Sequence, residues 1–132
     1  MIGGVGVDVV HIPAFRGQLS DRASCFASAT FTELERQVCA QRCQPDASLA
    51  ARFAAKEAFV KAWSGTRFGQ PRQVSQVDFR EIEVVQDNEG RPSLRLHGTT
   101  AQSLQMLPGA YRVHLSLSHD GDTATAFVVL EF

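Results

Sequence analysis

Residues 113–131 read VHLSLSHDGDTATAFVVLE. Val113, Leu115 and Leu117 alternate with His114, Ser116 and Ser118, the two-residue period of a strand with one polar face. Asp120-Gly121-Asp122 predicts a turn, and Thr123 to Glu131 a final returning strand. Upstream the pattern repeats on a smaller scale. Ile82 to Gln86 predicts a strand, Asp87 to Gly90 a turn and Ser93 to His97 its partner. Gly98 ends that hairpin, and Thr99 to Leu107 predicts a helix before Pro108-Gly109.

The N-terminal half reads differently. Ile2 to Val10 predicts one strand, rich in Val and with glycines that allow close backbone approach. Pro13 opens a short helix toward Gln18, and Asp21 to Phe31 is ambiguous between irregular chain and one helical turn. Thr32 followed by Glu35 is a capping-box pattern and predicts a helix over Glu33 to Cys43. Pro45 breaks it. Asp46 is expected to cap the longest helix, Ala47 to Ser64, which Gly65 stops. One strand, then helices, then hairpins gives an α+β fold: an antiparallel sheet packed against one long and several short helices. The 132 residues match the size of a single domain, 1–132.

With 44% apolar and 20% charged residues the chain can build a core, which excludes disorder as its main state. Thirteen basic and fourteen acidic side chains give a net charge of −1, so nucleic acid is not an expected partner. No apolar run approaches the roughly 18 residues of a membrane span. Met1 to Val10 lacks the basic start of a secretory signal, and the expected location is the cytoplasm. Cys25, Cys39 and Cys43 form an odd set without a second ligand pair for zinc, and are expected to be packing thiols. On one helix Cys39 and Cys43 would share a face.

Three places attract chemistry. Asp8 interrupts an apolar strand, where a carboxylate is costly to bury unpaired. It is either a solvent-facing residue of an edge strand, or a metal ligand or general base. On the long helix, at about 100° per residue, Leu49, Phe53 and Val60 predict the buried stripe, with Glu57 just beyond it and Lys61 one turn on. Glu57 and Lys61 read as an exposed ion pair, or as a carboxylate at a cleft wall beside a cation for an anionic ligand. Arg52 and Lys56 are expected to add positive charge on a neighbouring face. If strand and helix meet, Asp8 and Glu57 form the carboxylate pair that suits Mg²⁺. Third, His119 lies where the polar-faced strand ends, a place for either solvent or ligand phosphate.

GVGVD (residues 4–8), FAAKEAFVKA (53–62) and VHLSLSH (113–119) followed by TATAFVV (123–129) occur in this order. Together they resemble the small, holo-acyl-carrier-protein synthase type of the 4′-phosphopantetheinyl transferases, over essentially the whole chain. The resemblance implies an enzyme of fatty acid biosynthesis. It would transfer the phosphopantetheine arm of coenzyme A to a serine of apo acyl carrier protein, releasing adenosine 3′,5′-bisphosphate. It further implies Mg²⁺ on Asp8 and Glu57, Lys61 as the catalytic lysine, and a homotrimer with active sites at subunit interfaces. Arg52 and His119 become candidates for the coenzyme's phosphates or adenosine, with Ser64 and Gly65 approaching the same ligand. Longer relatives carry a second acid where this chain has Val10, so water is expected to take that ligand's place. Arg16 and Arg22 are the candidates for meeting an acidic carrier. A noncatalytic coenzyme A or nucleotide-binding module is the alternative, and a plain interaction protein a third reading.

Overall fold

A computed structural model describes residues 1–132. Strand β1 (Ile2–His11) is followed by α1 (Ile12–Ser20), α2 (Phe26–Thr30), α3 (Glu33–Ala40) and the long α4 (Pro45–Gly65). A 3-10 turn (Phe79–Glu81) leads into β2 (Ile82–Gln86) and β3 (Pro92–Leu96), then α5 (Gly98–Gln105), β4 (Arg112–Asp120) and β5 (Thr123–Glu131). β1, β5 and β4 form an antiparallel sheet in that order, with β5 central; β2 and β3 form a separate antiparallel hairpin. The α+β expectation holds.

The join between β1 and α4 sets the architecture. Gly4 and Gly6 face the helix, and a Cβ on Gly4 would run into the Ala62 carbonyl oxygen. One on Gly6 would run into that of Ala58. Glycines on the strand and alanines on the helix therefore bring two backbones into contact. Asp8 follows on the same strand face, two residues after Gly6. The alternation along β1 leaves Val5, Val7 and Val9 on the outer face, each more than half exposed.

Several local expectations need correction. The stripe of Leu49, Phe53 and Val60 is only half-buried, while Ala50, Ala51, Ala54, Ala55, Ala58 and Ala62 are fully enclosed. α4 is covered by the sheet on one side and by α1, α3 and β2 on others, so its small residues take the tight contacts and its large ones fill the seams. Phe53 stacks on Phe15 with centroids 5.6 Å apart and meets Phe26 and Phe79 edge-on.

The Thr32–Glu35 capping box forms in full. However, α3 ends at Ala40 rather than Cys43. Pro45 opens α4, and the residue before a proline is driven out of the helical region, as Gln44 is at φ −128° and ψ 80°. Asp46 therefore lies inside the first turn and does not cap it; its carboxylate accepts from Arg16 Nε at 2.9 Å. α4 does end at Gly65, as expected, with that glycine outside the left-handed region. Cys43 falls outside α3 and is exposed, as is Cys25; only Cys39 is a packing thiol.

Candidate functional site

Strand β1 and helix α4 bring Asp8, Glu57 and Lys61 together. Lys61 Nζ donates to Asp8 Oδ1 at 3.0 Å and to the Val7 carbonyl at 2.9 Å. The Asp8 side chain is 17% exposed and that of Lys61 54%, so the carboxylate lies at the foot of a wall and the ammonium reaches over it from solvent. Asp8 is thus on the helix-facing side of its edge strand, not its solvent side. Asp8 and Glu57 line one open hollow of about 390 Å³ with Val10, His11, Phe15 and Phe53. Burial pushes the Glu57 carboxyl above its ordinary range; the charge of Asp8 pushes the same way and Lys61 opposes both.

The donor chemistry fits a hard divalent cation. Two carboxylates from different elements share a hollow, and a positive group already stands on one of them. No group of three or more His, Cys, Asp and Glu side chains is arranged to hold a metal. An ion at Asp8 and Glu57 would complete its shell with water and phosphate oxygens, which is the habit of Mg²⁺.

Ser64 and Gly65 continue the same side of α4 and line a second hollow with Lys61, Arg67 and Phe68. Arg52 and His119 lie elsewhere, together in a third hollow of about 360 Å³ that also holds Arg42, Gln44, Ser48 and Gln86. The structure thus groups the candidates in two sets, one around Asp8 and one around His119, within a single chain.

The expected positive face of Arg52 and Lys56 is overturned. Both are buried. Lys56 Nζ bonds Glu35 Oε1 at 2.7 Å and the Phe79 carbonyl at 2.8 Å, with the Phe31 ring centroid 5.3 Å away. Burial pulls the Lys56 ammonium down, and Glu35 works against it. Arg52 donates to Cys39 Sγ at 2.9 Å, to the Val84 carbonyl at 2.7 Å and to Gln86 Oε1 at 3.1 Å. Burial raises the Cys39 thiol, with the Arg52 charge opposing, which keeps it a neutral packing group.

Arg42 and Gln86 escaped sequence reading. Arg42 donates to Gln86 Oε1 at 2.6 Å, so Gln86 holds both guanidinium groups at the edge of the His119 hollow. The role of Glu35 beyond its cap also escaped, although the alanines flanking Lys56 (Ala54, Ala55 and Ala58) carried the signal of an enclosed position.

The family model of the 4′-phosphopantetheinyl transferase superfamily matches residues 4–126. A curated relative from Nocardia farcinica, a holo-[acyl-carrier-protein] synthase, is 46% identical over 129 residues, 97% of this chain and 86% of its own length. One from Mycobacterium tuberculosis with the same name is 46% identical over 98% of this chain and 97% of its own. Among solved structures, an ACPS–CoA complex from Chronobacterium ammoniagenes superposes with a TM-score of 0.91 at 46% identity, covering 98% of this chain and 96% of that one. The acyl carrier protein synthase of M. tuberculosis gives a TM-score of 0.80 at 44% identity, over 99% and 98%.

Proposed function

The chain belongs to the 4′-phosphopantetheinyl transferase superfamily, and on that premise we propose that it is a holo-acyl-carrier-protein synthase, acting as one domain over residues 1–132. Its substrates are coenzyme A and an apo acyl carrier protein, and its products are holo carrier and adenosine 3′,5′-bisphosphate. The observation that carries the reading is the meeting of Asp8, Glu57 and Lys61 across the β1–α4 seam. The carrier serine oxygen bonds to the phosphorus bearing the pantetheine arm, the bond from that phosphorus to the bisphosphate oxygen breaks, and the serine proton passes to a base.

Asp8 and Glu57 would hold Mg²⁺. Bound there, the ion neutralises the charge that develops on the pyrophosphate oxygens. Lys61 stabilises the transferring phosphoryl group as a flexible point charge. His119, with Arg52 behind it, and Ser64 with Gly65 are the groups on the coenzyme's side. The guanidinium of Arg52 is already engaged by Val84 and Gln86, so Arg52 acts by its charge and by shaping the hollow, and His119 is the freer contact. Val10 lines the same hollow where longer relatives carry an acid and has no donor atom, so water would take that ligand's place.

The outer face of the sheet supports the homotrimer. Val5, Val7 and Val9 on β1 and Phe127 on β5 expose 46–66% of their surfaces on one side, an apolar patch suited to burial against further copies. A trimer with sites at its interfaces could also join the Asp8 set of one copy to the His119 set of another. Carrier docking draws on Arg22, which is exposed, more than on Arg16, whose charge Asp46 offsets. Three unpaired cysteines suit a cytoplasmic enzyme, and supply of holo carrier places it in fatty acid biosynthesis.

The test is the intact mass of apo carrier protein after incubation with the chain, coenzyme A and Mg²⁺, with and without chelator. A chelator-sensitive gain of one phosphopantetheine is expected. Coenzyme A binding with no gain on any carrier would leave a noncatalytic binding module.

A further inference from the structure

We propose that Lys61 is a resident cation on the carboxylate pair: it holds Asp8 until a divalent cation binds, then swings out to meet the coenzyme's phosphate. The proposal rests on the reading of Asp8 and Glu57 as the metal-holding pair. Both acceptors of Lys61 belong to β1, the Val7 carbonyl and Asp8 Oδ1. A metal ion and an ammonium compete for the same carboxylate oxygen, because like charges at contact repel in a half-buried site. The contact is built to give way. The lysine side chain is more than half exposed, so water can replace its partners once an ion takes the carboxylate.

The displaced ammonium does not go far. Its stem springs from α4 one turn after Glu57, and the same side of the helix continues to Ser64 and Gly65 in the adjoining hollow. That hollow also carries Arg67. A released Lys61 is therefore tethered where a phosphate beside the carboxylate pair would give it a new acceptor.

Two consequences follow. Before the metal arrives, Lys61 offsets the repulsion between Asp8 and Glu57 at a seam where the backbones already touch. Metal and coenzyme then bind cooperatively, since a phosphate stabilises the lysine position that the metal requires, and the coupling is reciprocal.

The chain has only two lysines, Lys56 and Lys61, which makes the motion directly readable. Protein labelled with ¹³C at the lysine ε-carbon is titrated with Mg²⁺ in the absence of coenzyme. The Lys61 signal is expected to move while that of Lys56, locked to Glu35, stays in place. Calorimetry with Mn²⁺ should show Lys61→Met binding the ion about fivefold tighter or more, the lower end of typical coupling between sites.

A Lys61 signal that stays still while Mg²⁺ saturates the protein overturns the displacement, and so does a Lys61→Met variant that binds metal no tighter. Asp8→Asn separates the two levels. If it abolishes metal binding, the metal pair stands and the displacement is judged by the lysine signal alone. If it binds metal as the parent does, the metal-pair reading fails and the proposal falls with it.

Discussion

Helix α4 carries its two lysines on two sides, under opposite physical conditions. Lys56 has no exposed surface and lies 2.7 Å from Glu35, which has almost none. Glu35 in turn accepts from the backbone of Val84 and Thr32, so one ion pair ties α3, α4, β2 and the 3-10 turn together. Five residues on, Lys61 stands half in water over Asp8. A buried pair must have good geometry to repay its desolvation, and it then resists change. An exposed pair is worth roughly 0–1 kcal/mol, and so can exchange partners. Burial, not residue type, makes one lysine a strut and leaves the other free to exchange partners.

The strut is the easier side to break. Lys56→Met leaves Glu35 buried without its cation and should cost about 3–5 kcal/mol, read as a lowered denaturant midpoint. Replacing Glu35 by Leu in the same chain should recover part of that loss. A Lys56→Met protein as stable as its parent would refute the strut. On the other side, Lys61→Met should leave stability within about 1 kcal/mol. It should slow carrier modification about 10²–10³-fold, the usual loss for one charge-stabilising donor. Equal effects of the two variants on melting would erase the contrast.

Between the two sides runs the glycine–alanine seam. Gly6→Ala pushes a methyl group against the Ala58 carbonyl, a backbone atom that cannot step aside. Overpacking of this kind costs about 1–3 kcal/mol. Because Asp8 lies two residues further along the strand, the variant should also lose the Asp8–Lys61 contact and bind metal more weakly. A variant with normal metal binding would show that the seam does not position the site.

The sequence was most readable where local rules act. The β4–β5 hairpin follows from strict alternation, and the Thr32 cap from its spacing. Asp8 stood out as a lone charge in an apolar strand. Arg52 and Lys56 were misread because helical periodicity assumes one buried side. α4 is enclosed on several sides, and its buried cations are revealed only by partners 13 to 34 residues away, such as Cys39, Val84 and Gln86. The division of the site into an Asp8 set and a His119 set was equally invisible, since it depends on where the sheet lies against the helix.

Glu83 offers the gentlest test of the strut side. Its side chain is nearly buried, and it accepts from Thr32 Oγ1 at 2.6 Å and meets His97 Nε2 at 3.1 Å, with Arg95 at 3.8 Å. Burial pushes this carboxyl up, but the hydrogen bonds from Thr32 and His97 and the charges of His97 and Arg95 outweigh it, so it lies below its ordinary value of 4.5. A carboxyl lowered on folding stabilises the fold above its unfolded value, and that contribution drains away as the pH falls through the folded one. Glu83→Gln should therefore be less stable than the parent at neutral pH, by about 1 kcal/mol or less because His97 and Arg95 are largely exposed. The two stability curves should draw together only as the pH falls below 4.5 and through the lowered folded value. Curves that stay parallel down to acid would mean that Glu83 titrates alike folded and unfolded. Glu83 would then add nothing to the link that Glu35 already makes to β2 through the Val84 backbone.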